Sequence, residues 1–100
     1  MSSQDVEVSR DPEQNRYELH VDGRLAGRAE YLLSNGLITF THTEVDPTFE
    51  GRGFASKLVQ YALDDVRDAG DRKVLAVCPY VKQWIRRHKD YVNLLYDAAE

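Results

Sequence analysis

The fold of this chain is decided by one glycine-rich stretch, EVDPTFEGRGFAS, at residues 44–56. A run with strand-like alternation, residues 37–45, leads into it, and a run with helical periodicity follows from Phe54 to about Gly70. Gly51 and Gly53 lie between the two runs. The first N–H groups of a helix have no intrahelical partner, and the helix dipole is positive there. Because glycines let an anion approach the main chain closely, we predict that this turn holds the pyrophosphate of a cofactor.

The residues before this stretch are typical of an antiparallel meander. Apolar and polar side chains alternate over residues 17–21 and 37–45, a further strand is expected from about residue 25 to 33, and a short edge strand is expected at 6–9. Asp22-Gly23 and Asn35-Gly36 are hairpin signals, since both residue types tolerate the positive φ of tight turns. Alternation in the last strand predicts one shared face for Ile38, Phe40, His42 and Glu44.

The residues after the stretch predict a strand–helix–strand unit and a further helix. The helix that follows the glycines has one apolar stripe and a C-cap at Gly70. The apolar run Val74–Val77 is typical of a central strand buried on both faces, reached by a right-handed crossover and therefore parallel to residues 37–45. Pro79 is suited to the first position of the next helix. The apolar face of that helix is predicted to contain Val81, Trp84, Ile85, His88, Val92 and Leu95.

The predicted fold class is therefore α/β, with an antiparallel β-meander followed by a β-α-β parallel crossover and a C-terminal helix. Residues 1–5 are expected to be a flexible N-terminus, and residues 6–100 a single domain. Ligands of such units lie outside the carboxyl ends of the parallel strands. Val45 ends one of these strands and Cys78 the other, so we expect both residues to border one crevice with residues 51–56.

Composition excludes several classes of protein. A net charge of −4 argues against general nucleic-acid binding, which needs a basic face. The single cysteine excludes an internal disulfide and fits a reducing compartment. No apolar run approaches the about 20 residues of a membrane span. We therefore expect a cytoplasmic monomer that binds neither nucleic acid nor membrane.

Two motifs resemble those of the GNAT N-acetyltransferases. Val45-Asp46-Pro47 with the run at residues 50–55 is similar to the acyl-CoA-binding motif of that family, which reads Gln or Arg, two variable residues, Gly, one variable residue, then Gly or Ala. Gly53 and Ala55 match this motif, and Glu50 departs from it at the first position. A second similarity, Cys78-Pro79-Tyr80-Val81 followed by residues 85–88, resembles a short single-domain subfamily with a Cys-Pro-Tyr motif.

The resemblance implies an N-acetyltransferase that takes acetyl-CoA as the acetyl donor and an amine of unknown identity, on a protein or a small molecule, as the acceptor. Acetyl-CoA would lie between the two parallel strands, with its pyrophosphate on the N–H groups of the glycine turn and its pantetheine arm or thioester oxygen on the backbone of Val45. The cofactor-binding residues implied are Val45, Gly51, Arg52, Gly53, Phe54, Ala55 and Ser56. The extra helices that build the acceptor site in larger members are not expected in a chain of this length.

Three residues are candidates for catalysis. Cys78 precedes a helix start, where a thiolate is stabilised, and is expected near the thioester. Direct attack by the amine is the predicted route, and an acetyl-Cys78 intermediate or a merely buried thiol are the alternatives. Glu44 or His42 could deprotonate the acceptor, unless they form only a cross-strand polar pair. Two other functions stay open, namely a non-enzymatic acyl-CoA-binding or sensing module and a protein-interaction domain whose glycine turn is only structural.

Overall fold

Five strands form one sheet in chain order in this computed structural model, which describes residues 5–97. The first four strands pair antiparallel, and the fourth pairs with the fifth in parallel. The strands are β1 (Val6–Asp11), β2 (Arg16–Val21), β3 (Arg24–Ser34), β4 (Leu37–Val45) and β5 (Lys73–Ala76). The helices are α1 (Phe54–Ala69) and α2 (Pro79–Arg87), and 3₁₀ turns occur at Pro47–Phe49 and Lys89–Leu94. The predicted meander, parallel crossover and C-terminal helix are thus confirmed.

The hairpins depend on residues that accept a left-handed backbone. Asp22 and Gly23 have φ values of 51° and 83°, as the predicted mirror-image turn requires. In the second hairpin only Gly36 has a positive φ, at 71°. At the start of β1, Asp5 donates its N–H to the Asp22 carboxylate and accepts the Asp22 N–H at its carbonyl. The rest of the segment predicted to be flexible, residues 1–4, lies outside the described residues.

Helix α1 covers one face of the sheet and forms the centre of the core. It begins after Gly53 and ends at the C-cap Gly70, both in the left-handed region. Its buried residues pack against Tyr17 and Phe40 of the sheet, in a core that includes Leu58, Val59, Ala62, Leu63 and Val66. Burial of this stripe removes apolar surface from water and fixes the helix start at the end of β4.

Strand β5 lies at the edge of the sheet, and the prediction of a central strand buried on both faces is wrong here. Its ladder pairs with β4 alone, and its other edge has a single bridge between Val74 and Leu95. Val74 is fully buried, whereas Val77 has 59% of its surface exposed. A short apolar run indicates a strand but does not reveal how many neighbours the strand will have.

Helix α2 begins at Pro79, as predicted, with Cys78 as its N-cap. It ends at Arg87, because the chain then tightens into the 3₁₀ turn. The predicted apolar face is therefore correct for Val81, Trp84 and Ile85, while Val92 and Leu95 lie beyond the helix and pack against the core only partly buried. His88 is exposed, and Tyr91 and Leu94 are buried where the helical period predicted Val92 and Leu95.

Candidate active site

Strands β4 and β5 diverge after Phe40, and the candidate site lies where they separate. Their register runs from Leu37 opposite Lys73 to Phe40 opposite Ala76. The Phe40 carbonyl then accepts two N–H groups, from Val77 at 3.1 Å and Cys78 at 2.8 Å. Beyond this point β4 continues beside β3 to Val45, whereas the other chain segment turns into α2. A gap therefore opens at the carboxyl ends of the parallel pair.

A one-residue irregularity in β4 reverses the faces of its last residues. In the register with β3, Glu30 lies opposite His42 and Tyr31 opposite Phe40, so that Thr41 has no partner. The Thr41 hydroxyl donates to the Glu30 carbonyl at 3.3 Å. An extra residue in one strand shifts the two-residue side-chain period by one. Residues 43 and 45 consequently continue the inward face that residues 38 and 40 begin.

The prediction that His42 and Glu44 share a face with Ile38 and Phe40 is therefore wrong. Ile38 and Phe40 are 2% and 1% exposed, whereas the side chains of His42 and Glu44 are 54% and 51% exposed. On the inner face, a Cβ added to Gly27 would lie within 4 Å of both a Val45 methyl group and Leu58 of α1. Val45 thus faces the helix, and Glu44 faces the opposite side of the sheet.

The outward-facing pair belongs to a charged cluster on the exposed face. His42 Nε2 and Arg28 Nη2 each lie 3.1 Å from Glu44 Oε1, and Arg28 Nε lies 2.6 Å from Glu30 Oε2. The hydrogen bond with His42, followed by the charge of Arg28, holds the pKa of the Glu44 carboxyl below its ordinary value. Glu44 is therefore a weak base that accepts hydrogen bonds from two neighbours.

The glycine turn presents backbone N–H groups that no side chain caps. Gly51 and Gly53 have φ values of 82° and 76°, which bring the chain sharply from the 3₁₀ turn into α1. Lys57 donates its N–H to the Gly53 carbonyl, which is the first hydrogen bond of the helix. The N–H groups of residues 54–56 come before it and have no partner within the helix. The N-cap Gly53 makes no side-chain cap, and the first turn contains no acidic residue. This arrangement leaves donors and a positive dipole end for an anion.

A crevice of about 280 Å³ opens in front of these N–H groups. Six of the predicted site residues line it, namely Val45, Gly51, Gly53, Phe54, Ala55 and Ser56. Arg52 does not; its guanidinium lies 5.6 Å from the centre of the Phe49 ring. Four further residues that line it were not among the predicted cofactor-binding residues: Thr43, Phe49, Glu50 and Tyr80. No local signal marks Thr43, because its inward orientation depends on the register shift at Thr41.

The backbone of Val45 is directed toward this opening. Asp46 donates its N–H to the Ala26 carbonyl of β3 at 2.7 Å. Main-chain groups of successive strand residues point to opposite sides, so those of Val45 point away from β3 and toward the gap left by β5. This orientation suits the backbone contact that the sequence predicted for Val45.

Cys78 lies behind Thr43 and does not line the crevice itself. Its side chain is 3% exposed, and its Sγ donates to Thr43 Oγ1 at 3.5 Å. The expectation that Cys78 borders the crevice directly is thus wrong, because Thr43 lines the crevice and Cys78 contacts Thr43. The Phe40 carbonyl accepts the Cys78 N–H at 2.8 Å and so holds this residue next to β4.

Tyr80 is a phenol at the edge of the crevice, on the first turn of α2. Burial raises the pKa of the Tyr80 hydroxyl, although Arg87 and a hydrogen bond with Ser56 oppose that shift. Ser56 also accepts a hydrogen bond from Trp84 Nε1 at 2.8 Å. Ser56 therefore joins the start of α1 to α2, and Tyr80 stays protonated at neutral pH.

Comparison with protein families decides how this arrangement is classified. The family model described as GCN5-related N-acetyl-transferase matches residues 16–94. The chain belongs to this family. The matched residues include β2 to β5, both helices and every residue that lines the crevice. None of the curated proteins compared with the chain matches it.

Solved structures of longer proteins share the fold at low sequence identity. The ribosomal-protein-S18-alanine N-acetyltransferase from Escherichia coli is 20% identical, with a TM-score of 0.57 over 61% of this chain. A GNAT family acetyltransferase from Brucella melitensis in complex with acetyl-CoA is 22% identical, with a TM-score of 0.54 over 61% of this chain. The N-acetylglutamate synthase from Neisseria gonorrhoeae, complexed with coenzyme A and N-acetyl-glutamate, is 19% identical, with a TM-score of 0.59 over 83% of this chain.

The matches span 39%, 44% and 22% of those three longer chains, in that order. The likeness therefore concerns the fold, and less than half of each neighbour has a counterpart here. Among residues 5–97, no group of three or more His, Cys, Asp or Glu side chains is placed to hold a metal ion. Over the same residues, no helix is both long enough and apolar enough to cross a membrane.

Proposed function

We propose that this protein binds acetyl-CoA in the crevice at the start of α1 and transfers the acetyl group to an amine. The observation that supports this proposal is the coincidence of two features at one place. The parallel strands separate there, and the uncapped N–H groups of α1 face the gap between them. Family membership supplies the reaction class. Acceptor and compartment are not specified by these features.

The glycine turn has the chemistry that a pyrophosphate needs. A Cβ added to Gly53 would meet no atom of the protein within 4 Å, so that the space above this residue is open to a ligand. Phosphate oxygens would accept from the N–H groups of residues 54–56, and the guanidinium of Arg52 lies on the same turn. Glu50 places a carboxylate in the same crevice, which opposes an anion. The proposed phosphate contacts thus come from the backbone and Arg52, and the negative charge of Glu50 weakens them.

The other end of the substrate would enter the gap between β4 and β5. The backbone of Val45 is suited to hold the pantetheine arm or the thioester oxygen, because its main-chain groups point into the gap. A hydrogen bond to that oxygen stabilises the charge that develops when the carbonyl is attacked. Thr43 and the buried Cys78 would form the wall beside the thioester.

The proposed chemistry is direct transfer. The amine nitrogen attacks the thioester carbon, a C–N bond forms, and the C–S bond breaks to release the thiolate of coenzyme A. Tyr80, whose raised pKa keeps it protonated at neutral pH, would give its phenolic proton to this sulfur and would regain a proton from the attacking nitrogen, so that the amide and the free thiol are the neutral products. The ammonium proton of the acceptor would pass to His42, through water where the distance requires it. Glu44, which contacts His42 Nε2 at 3.1 Å, would orient the imidazole.

A second candidate is an acyl-CoA-binding module without transferase activity. The outward orientation of His42 and Glu44 favours it, because the crevice itself contains neither of these bases. The two candidates differ in one outcome. Only an enzyme would give acetylated products when incubated with acetyl-CoA and a panel of amines that includes peptides, polyamines and amino acids, followed by mass spectrometry.

The binding site is tested by a pair of glycine variants. Gly53→Ala places a methyl group where the phosphate must approach, and Gly36→Ala imposes a similar left-handed strain, since their φ values are 76° and 71°. Each substitution costs roughly 1–2 kcal/mol of stability from backbone strain. Calorimetry should show CoA affinity reduced at least about tenfold in Gly53→Ala, an effect of about 1.4 kcal/mol, and unchanged in Gly36→Ala. Equal CoA affinities in the two variants would rule out this turn as the phosphate-binding site.

A further inference from the structure

A second cavity adjoins the crevice, between the first turn of α1 and one side of α2. Its volume is about 490 Å³. Ser56 and Tyr80 line both cavities, so the two adjoin at these residues. The remaining residues of this second cavity, which we call the α2 groove, are Pro79, Gln83, Trp84, Arg87 and His88.

The crevice alone is too small for the whole of coenzyme A. Its volume of about 280 Å³ lies below the about 300–1,000 Å³ typical of sites for drug-sized ligands. Coenzyme A is larger than such ligands, since it combines a pantetheine arm, a pyrophosphate and an adenosine with a 3′-phosphate. If the first two parts occupy the crevice, the nucleoside needs an adjoining space, and the α2 groove provides it.

One wall of the α2 groove is a flat aromatic stack. The rings of Trp84 and His88 lie 3.8 Å apart between centroids, at an interplanar angle of 13°. His88 Nδ1 donates to the Trp84 carbonyl at 2.7 Å, since a carbonyl can only accept. The ring of His88 is exposed, whereas Trp84 beneath it is buried. Aromatic planes of this kind bind purine bases by stacking.

The charge of the α2 groove is positive. Arg87 is its one arginine, no carboxylate lines it, and no residue from 5 to 97 forms an ion pair with Arg87. The neighbouring Arg86 lies on another side of α2, where it lines a separate cavity with Leu75 and Asp97. Both arginines lie in the last turn of α2, but they line different cavities.

We propose that the α2 groove binds the adenosine 3′-phosphate part of coenzyme A, with the purine on the exposed ring of His88, which stacks on the buried Trp84, and the phosphate on Arg87. The inference rests on the proposed function, because it assigns the remainder of the same substrate. It makes Arg87 a specificity residue that distinguishes coenzyme A from dephospho-coenzyme A. Short pantetheine thioesters would use the crevice only.

The test compares coenzyme A, dephospho-coenzyme A and 4′-phosphopantetheine by calorimetry on four proteins. These are the wild type, Arg87→Ala, the matched control Arg86→Ala, and His88→Ala. We expect wild-type protein to bind coenzyme A more tightly than dephospho-coenzyme A. Arg87→Ala should weaken coenzyme A by roughly fivefold, the size of a solvent-exposed ion pair, and leave dephospho-coenzyme A unchanged. Arg86→Ala should bind all three ligands as the wild type does.

His88→Ala separates purine from phosphate. It should weaken coenzyme A and dephospho-coenzyme A by the same factor and leave 4′-phosphopantetheine unaffected. If coenzyme A binds but Arg87→Ala and Arg86→Ala behave alike, the α2 groove is not the nucleoside site, while the proposed function stands. If none of the three ligands binds to wild-type protein, both proposals are overturned together.

Discussion

The two halves of strand β4 have the same length of backbone but opposite roles. Residues 37–40 pair with β3 on one side and β5 on the other, and their inward side chains belong to the core. Residues 42–45 pair with β3 only; Thr43 and Val45 border the crevice, and His42 and Glu44 face solvent. Thr41 divides the two halves. The site therefore lies where β4 no longer pairs with β5. The stability of the strand must come mainly from residues 37–40, which pair on both sides.

The largest expected effect follows from truncating the paired half. Phe40 is 1% exposed, so Phe40→Ala should lower the free energy of unfolding by about 3–5 kcal/mol, through lost burial and the cavity left behind. Thr43→Ala, in the open half, should cost about 1 kcal/mol or less. Urea unfolding followed by circular dichroism measures both values. Similar losses for the two variants would mean that the open half also supports the core.

The second prediction concerns access to Cys78. Thr43 stands between the crevice and the thiol, so Thr43→Ala should increase the rate of alkylation by iodoacetamide several-fold. Thr39→Ala, in the paired half of the same strand, should leave that rate unchanged. Cys78 is the only cysteine of the chain, so the added mass on intact protein reports this site alone. Saturating coenzyme A should slow alkylation in Thr43→Ala, and no protection would place the ligand elsewhere.

A smaller effect is expected from the carboxylate in the crevice. Glu50→Gln removes a negative charge near the proposed phosphate and should increase CoA affinity by roughly two- to fivefold, the scale of a solvent-screened charge interaction. Glu13→Gln, in a turn outside the crevice, is the matched control. The gain should disappear in 1 M salt, where charges are screened within about 3 Å. A gain that persists in high salt would indicate a change of shape and not of charge.

Local chemistry explains which elements could be predicted from the sequence. The glycine turn, both hairpins and the limits of α1 depend on residues such as Gly53 and Gly70, whose positive φ is a property of the residue type. Pro79 likewise indicated the start of α2. These signals need no knowledge of the rest of the chain, and they predicted six of the residues that line the crevice.

The features that were not predicted depend on pairing between distant residues. The reversal of His42 and Glu44 arises from the unpaired Thr41, which is apparent only once β3 and β4 are in register. The alternation of residues 37–45 is uninterrupted in the sequence, so it predicted a single face. The position of β5 at the sheet edge and the burial of Cys78 behind Thr43 are likewise consequences of which segments become neighbours.

The smallest expected effect concerns the outward face of the open half. The hydrogen bond with His42 and the charge of Arg28 hold the pKa of Glu44 below its ordinary value of 4.5. A carboxyl with a lowered folded pKa contributes stability above its unfolded pKa, and this contribution is lost as pH falls through the folded value. Glu44→Gln should therefore be slightly less stable than the wild type at pH 7, and the difference should vanish as the pH falls below 4.5 toward the folded value.

Urea unfolding at pH 7 and at pH values descending from 4.5 measures this difference. The effect stays small because half of the Glu44 side chain is exposed, so solvent and salt screen its partners. The same substitution in an Arg28→Met background should have less effect, since one partner is already absent. A difference that stays constant with pH would contradict the ion-pair origin. CoA affinity should not change in Glu44→Gln, because the carboxylate faces away from the crevice; a fall in acetyl transfer without a fall in CoA affinity would place the acceptor amine on the outward face.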